Sequence, residues 1–255
     1  MSARDDDPAT DGGAYTFADV SVVMGTYNEE AAIGTVLDDV DRVTDGEAEI
    51  VCVDGSSDRT PEIARKRGAR VIDQEPQGYG VAVERALRAA SRPVVVTTDC
   101  DDTYPMERLP DFLDLINAGY DVVSGDRLSG DASAMPAFNR LGNHAFALLA
   151  SALLLRRVRD TTTGMRAYRR ETIESIAWTE NTGLSAELLM RPVARGYDVT
   201  EVEIAYDDRL GETTLNPLSG GAAIAKSICK VGAEEALGRL RGRSPRGPGA
   251  VRESS

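Results

Sequence analysis

The chain of 255 residues carries 42 acidic against 29 basic side chains, a formal net charge of -13, and so lacks the cationic footprint that general nucleic-acid binding needs. With 42% of its residues hydrophobic it is not disordered throughout, and its length allows one large domain or two small ones. Lysine occurs only at Lys66, Lys226 and Lys230, so arginine supplies nearly all the positive charge, and the excess of hydrated carboxylates suits a protein that stays soluble in high salt.

Residues 1–17, with Asp5, Asp6, Asp7 and Asp11 among glycine and proline, read as a disordered acidic tail, because such a segment buries too little surface to order itself. From Val20 onward short apolar runs alternate with helical patterns. Strands are expected at 20–24, 50–53, 69–72, 93–97 and 121–124, and helices at 30–43, 60–67, 81–90 and 106–118. That alternation spells βαβ units, hence an α/β class with a mostly parallel twisted sheet and helices on both faces. Ser57, Asp58 and Thr60 with Pro61 cap the helix at 60–67, and Gly68 ends it. After residue 126 a loop of Ser, Gly, Ala and Pro leads into a helix at 139–155. We divide the chain into a single domain at 18–221, with a nucleotide-binding half at 18–125 and an acceptor-side half at 126–221, followed by an amphipathic helix and basic tail at 222–255.

Cys52, Cys100 and Cys229 are odd in number, follow no C-x-x-C spacing and accompany no secretory signal, which points to the reducing cytosol. The longest apolar run, 145–155, would span about 16 Å as a helix against about 30 Å of bilayer core. A membrane span is therefore not expected.

The sharpest chemical signal is Val94-Val95-Val96-Thr97-Thr98-Asp99-Cys100-Asp101-Asp102, an apolar strand that delivers acidic groups at its carboxyl end, where open α/β sheets bind ligands. Asp99 and Asp101 suit a hard Mg²⁺ or Mn²⁺ shared with a diphosphate; the same run also reads as a solvated turn of an acidic protein. A second strand ends in Asp54-Gly55-Ser56-Ser57-Asp58-Arg59-Thr60, and the first in Met24-Gly25-Thr26-Tyr27-Asn28-Glu29-Glu30. Three polar, small-residue turns on one sheet edge point to a nucleotide pocket more strongly than any one of them does.

In these segments the sequence resembles the family 2 glycosyltransferases, and within them the dolichyl-phosphate (polyprenyl-phosphate) hexose synthases, here with the acidic composition of a halophilic archaeal member. Thr26-Tyr27-Asn28-Glu29 is similar to the family's P-T-Y-N-E opening, Asp54 to Thr60 to its D-G-S-x-D-G-T turn, and Gly78-Tyr79-Gly80-Val81-Ala82 to its G-x-G-x-A helix start. Asp99-Cys100-Asp101 matches D-A-D, Asp160-Thr161-Thr162-Thr163-Gly164-Met165-Arg166-Ala167-Tyr168 the D-x-x-S/T-G-F/M-R-x-Y block, and Arg209-Leu210-Gly211-Glu212-Thr213 the R-x-G-E-S end. Six pieces in order cover about three quarters of the chain. Val53 departs from the first Asp of D-D-G-S, Thr103 from a metal-binding Gln, and Thr214 from the lysine that often follows the last motif.

The resemblance implies a GT-A fold and an inverting, metal-dependent hexosyl transfer from a nucleoside diphosphate sugar, UDP-glucose or GDP-mannose, to dolichyl or polyprenyl phosphate, for protein glycosylation. It assigns Thr26, Tyr27, Glu29, Asp54, Ser56, Asp58 and Gly78 to the donor pocket together with Asp99 and Cys100, and Asp99 and Asp101 to Mg²⁺ or Mn²⁺. Arg127 and Arg209 would face phosphate oxygens, Asp101, Asp102 or Asp160 would position the acceptor, and Arg166 joins the catalytic set. A soluble or glycan acceptor, or a catalytically silent nucleotide-sugar-binding protein, remains as an alternative.

The helix at 139–155 ends in Arg156, Arg157 and Arg159, and from Lys226 onward seven basic residues face three acidic ones. Both segments suit a membrane surface, and both also read as ordinary structure, a core helix and an exposed end. The expected location is peripheral, on the cytoplasmic face of the cell membrane. His144 reads as structural, and Trp178 and Glu187 as packing, although Glu187 falls in a segment that in relatives of the family lines the acceptor side.

Overall fold

Valine-rich runs form strands because β-branched side chains pack well on a pleated surface. The computed structural model describes residues 13–210 and 217–241. Among these residues β1 (Val20–Thr26), β2 (Glu49–Asp54), β3 (Arg70–Asp73), β4 (Val94–Thr97), β5 (Val122–Asp126), β6 (Arg166–Arg169) and β7 (Val199–Glu203) make one sheet, in the order β3-β2-β1-β4-β6-β5-β7. Neighbours run parallel except β6, which is antiparallel to both β4 and β5. The helices are α1 (Ile33–Val43), α2 (Thr60–Lys66), α3 (Tyr79–Ala89), α4 (Leu109–Asn117), α5 (Ala137–Leu154), α6 (Arg170–Glu174), α7 (Leu184–Ala194) and α8 (Pro217–Leu240).

Alternation along the strands sorts the core into two layers. Val22, Met24, Cys52 and Val96 meet Ile33, Val36, Leu37 and Val40 of α1 and Phe112 and Ile116 of α4 on one face. Val23, Val51, Val53 and Val95 meet Val83 and Leu87 of α3 and Leu184 and Leu188 of α7 on the other. A third cluster lies among helices alone, where Ala150 and Leu154 of α5, Leu189, Met190 and Val193 of α7, and Ile228 and Val231 of α8 pack together. Helices thus cover both sheet faces, as the alternation predicts.

The differences are local. The first helix starts at Ile33 rather than at 30, because Glu29 and Glu30 are drawn into the turn beyond β1, where their backbone N–H groups donate to Thr60 Oγ1 at 2.8 Å and Asp58 Oδ2 at 3.2 Å. Strands β6 and β7 were not expected, since Arg166-Ala167-Tyr168-Arg169 and Val199-Thr200-Glu201-Val202-Glu203 are short and polar. Tyr15 and Phe17, assigned by composition to the tail, lie against the core. The Tyr15 N–H donates to Asn117 Oδ1 at 2.8 Å, Asn117 Nδ2 donates back to the Tyr15 carbonyl at 3.0 Å, and the Arg169 guanidinium sits 5.7 Å from the Tyr15 ring. At the other end α8 begins before the boundary set at 222, and its buried Ile228, Val231 and Glu235 tie it to the domain. Gly211 to Thr214 of the last motif, and the tail beyond Arg241, lie outside the described residues. Among the described residues no helix is long and apolar enough to cross a membrane.

Candidate active site

The carboxyl ends of β1 and β2 are joined by short polar turns that brace each other. Thr26 Oγ1 donates to Asp54 Oδ1 at 2.6 Å, and Asp54 in turn accepts from the Ser56 hydroxyl at 2.7 Å and the Ser56 N–H at 3.0 Å. Asp58 accepts from the Thr60 N–H at 2.9 Å and hydroxyl at 2.6 Å. Burial opposes the charge on Asp58, but these bonds and that from the Glu30 N–H hold its carboxyl below the usual range. Asn28, at φ 55°, takes the left-handed conformation that asparagine tolerates, and its Oδ1 accepts from the Ser57 N–H at 2.9 Å. Asp54 and Asp58, expected to line the nucleoside pocket, therefore have both oxygens engaged within the two turns. Tyr27 is half exposed beside these turns.

The D-x-D turn leaves β4 beside these two. Asp101 Oδ1 accepts from the Thr103 N–H and hydroxyl at 3.3 and 2.7 Å. Asp101 Oδ2 accepts from Arg209 Nη1 at 2.7 Å, while Arg209 Nη2 donates to Glu29 Oε1. Tyr79, the first residue of α3, donates its hydroxyl to Asp99 Oδ1 at 3.0 Å. Burial and then the neighbouring Asp101 charge push the Asp99 carboxyl up to about 6, and burial pushes Glu29 up to about 7 against the pull of Arg209. Carboxylates gathered this closely in a part-buried turn need a cation, and Arg209 provides it. A Cβ on Gly164 would lie 2.4 Å from Asp99 Oδ2, so glycine keeps the space beside that carboxylate open. Cys100 is buried with its thiol pushed well up by desolvation, and Asp102 is half-buried at φ 65° on the crest of the turn.

Segment 206–210 runs against this turn through main-chain bonds, Asp207 N–H to the Thr103 carbonyl at 3.1 Å and Leu210 N–H to that of Asp101 at 3.0 Å. The chain pairing explains how Arg209, 108 residues away in sequence, reaches Asp101.

Arg127, expected to face phosphate oxygens, is committed elsewhere. Its Nε and Nη2 donate to Asp160 Oδ2 and Oδ1 at 2.7 and 3.0 Å, and Nη2 also to Thr162 Oγ1 at 2.9 Å. Its guanidinium lies 6.0 Å from the Tyr104 ring centroid and 5.6 Å from that of Tyr206. Asp160 is fully buried, and although burial opposes its charge the Arg127 guanidinium holds its carboxyl below the usual range. A planar fork already closed on a protein carboxylate has little left for a phosphate, so Arg127 and Asp160 brace the site from beneath. Arg166 is likewise buried, giving Nε to Ser124 Oγ at 2.9 Å and Nη2 to the Thr161 carbonyl at 3.0 Å. Sequence reasoning gave no role to Tyr79, Tyr104 and Tyr206; the first stands inside the quoted Gly78 to Ala82 motif and the second two residues past the Asp99 to Asp102 run, while nothing local marks Tyr206.

A groove of about 650 Å³ opens between the 132–136 loop and the start of α5, lined among others by Met135, Arg140, Leu141 and His144. It is linked to the Arg127 cluster, because Thr162 Oγ1 also donates to Asn143 Oδ1 at 3.1 Å and Asn143 Nδ2 to Met135 Sδ at 3.5 Å. Along α5 an apolar stripe stays in solvent: Phe138 is 61% exposed, Leu141 70%, Leu148 74% and, just past the helix, Leu155 88%. The opposite face of the helix fills the third core cluster.

Comparison with known proteins matches residues 21–177 to the model of glycosyl transferase family 2. The dolichyl-phosphate hexose transferase of Haloferax volcanii is 72% identical over 223 residues, covering 88% of this chain and 98% of that protein. The polyprenol monophosphomannose synthase of Mycolicibacterium smegmatis is 29% identical over 91% of each chain. Among solved structures, glucosyl-3-phosphoglycerate synthase from Mycobacterium tuberculosis, in complex with Mn²⁺, UDP-glucose and phosphoglyceric acid, superposes with a TM-score of 0.68 at 26% identity, covering 86% of this chain and 79% of that one.

Proposed function

This chain belongs to glycosyl transferase family 2, and we propose that it moves a hexose, glucose or mannose, from a nucleoside diphosphate sugar to dolichyl or another polyprenyl phosphate, supplying lipid-linked sugar for protein glycosylation. The observation that carries the donor side is the Arg209 fork closed on Asp101 and Glu29 beside Asp99. It marks a place at the carboxyl edge of the sheet where the chain holds a cation against clustered carboxylates. That oxygen-only donor set fits Mg²⁺ or Mn²⁺, which Asp99 and Asp101 would hold. Such an ion, when bound, neutralises charge that develops on the departing nucleoside diphosphate.

The residues of this chain supply the rest. Thr26, Asp54, Ser56 and Asp58 hold the two turns in the shape of the nucleoside pocket, with Tyr27 at its mouth. Arg209, more exposed than Arg127, would grip phosphate oxygens of the donor bidentately once released from both Asp101 and Glu29. The acceptor phosphate lies in the groove beside Arg140 and His144, and its prenyl chain leaves along the apolar stripe of α5. A phosphate oxygen, already anionic near neutral pH, forms a bond to the anomeric carbon. The bond from that carbon to the diphosphate breaks, its electron pair leaves with the nucleoside diphosphate, and the configuration inverts. No general base is required for a nucleophile that carries no proton.

The stripe of Phe138, Leu141, Leu148 and Leu155, with Arg140, Arg156 and Arg157 around it, lies on the cytoplasmic surface of an anionic membrane. Charge complementarity favours that contact, since these arginines stand out on a chain of net charge -13.

The test is transfer of radiolabelled sugar into an organic-extractable lipid, with UDP-glucose and GDP-mannose offered separately alongside dolichyl phosphate and Mg²⁺ or Mn²⁺ in concentrated salt. Label in the lipid phase from one donor is the expected result. Label that appears only on a soluble acceptor would overturn the lipid reading.

A further inference from the structure

Outside the motifs, one residue reaches into the donor side from the acceptor half. Asn181 sits in the short segment between β6–α6 and α7, and its side chain closes from both ends on the 77–80 turn that opens α3. Its Oδ1 accepts from the Gly80 N–H at 2.9 Å and its Nδ2 donates to the Gln77 carbonyl at 2.8 Å. The two glycines of that turn make room for it. A Cβ on Gly78, whose φ is 100°, would lie 2.7 Å from the Asn181 amide, and one on Gly80 would lie 2.3 Å from the Asn181 carbonyl oxygen. Between these glycines stands Tyr79, buried at its hydroxyl and bonded to Asp99 Oδ1.

The clamp is itself held firmly. Buried Glu187 accepts from the N–H groups of Thr179 and Glu180, both at 2.9 Å, and Arg191 Nη2 donates to Thr179 Oγ1 at 3.1 Å. Lys230 of α8 pairs with Glu180 at 2.6 Å. A segment tied to two helices thus grips a glycine turn that has no side chains of its own to fix it at those positions.

We propose that Asn181 is a positioning residue of the donor site: by pinning the 77–80 turn it sets the Tyr79 hydroxyl, and through it the direction in which Asp99 presents its second oxygen. The inference rests on the reading of Asp99 as a donor-site carboxylate. Small displacements at such a carboxylate weaken binding and transfer steeply. Asn181 lies outside the buried core, so its truncation leaves no cavity there.

The experiment is a double-mutant cycle on the full chain with Asn181→Ala and Tyr79→Phe, read out as the Mn²⁺-dependent affinity for UDP and GDP by calorimetry and as kcat and KM of hexosyl transfer, with thermal unfolding as control. Each single variant is expected to lose about tenfold in nucleotide affinity with unfolding unchanged, and the double variant no more than the worse single, because one acts through the other. Asn181→Asp, which keeps the acceptor for Gly80 but sets a carboxylate against the Gln77 carbonyl, is expected to fall between wild type and Asn181→Ala. Losses that multiply in the double variant would overturn the inference while leaving the donor site intact. A wild-type chain that binds neither nucleotide would overturn the donor-site reading and this inference with it.

Discussion

The two halves of the molecule stabilise their polar groups by different means. In the β1–β4 half the carboxylates of the turns accept from neighbours two residues on, Asp54, which is buried, from Ser56 and the part-buried Asp58 from Thr60. In the half from β5 to α8, arginines are drawn fully inside and paired across long stretches of chain. Arg127 meets Asp160, 33 residues away, and Arg191 meets both Glu187 and, 44 residues away, Glu235. The first arrangement costs little to build, because both partners lie in the same turn. The second is expensive to break, because either partner alone would be a buried, uncompensated charge.

The sharpest way to break this comparison is Asp160→Asn, which strands Arg127 beneath the site. We expect it to cost about 3–5 kcal/mol in stability, read as a fall in the unfolding midpoint in denaturant. The pH dependence has a definite sign. The Asp160 carboxyl is held below its unfolded value, so its stabilisation is fully present above about pH 4 and is lost as pH falls through the folded value. The variant should therefore show a flatter acid limb than wild type. Equal acid limbs would mean that the pair is not a main source of acid sensitivity.

Asp101→Asn sits on the other side of the comparison. It should leave unfolding nearly unchanged and lower kcat by roughly 10²–10³-fold, measured as metal-dependent sugar release from the donor. Activity near wild type would remove Asp101 from the donor machinery. Gly164→Ala sharpens the same point, because its methyl would press on Asp99 Oδ2; about 10²-fold loss of turnover is expected from a displaced carboxylate. The smallest effect on stability should come from Leu141→Ser with Leu148→Ser on the exposed stripe. Stability should change by less than about 0.5 kcal/mol per site, while co-sedimentation with anionic vesicles falls. Unchanged co-sedimentation would place the membrane contact elsewhere.

The acidic turns were legible because they are local. Asp54, Ser56, Asp58, Asp99 and Asp101 each stand a few residues from an apolar run whose strand character is plain. The acceptor half was less so. Arg127 reads from its neighbours as a phosphate ligand, and only the packing of 122–127 against 160–162 shows its fork already filled. The stripe on α5 illustrates the same limit, since its leucines look alike in sequence, yet Leu154 is buried and Leu148 lies in solvent.

The sequence by itself determined that this is an α/β chain with a run of βαβ units, that acidic turns end its first strands, and that six motif segments follow in the family's order. These are properties of short stretches, governed by side-chain alternation, turn chemistry and capping. Only the tertiary structure decided that β6 enters the sheet antiparallel between β4 and β5, that Arg209 closes on Asp101 and Glu29, and that Asn181 clamps the turn carrying Tyr79. Each of those is a contact between segments distant along the chain, set by which surfaces the whole molecule must bury together.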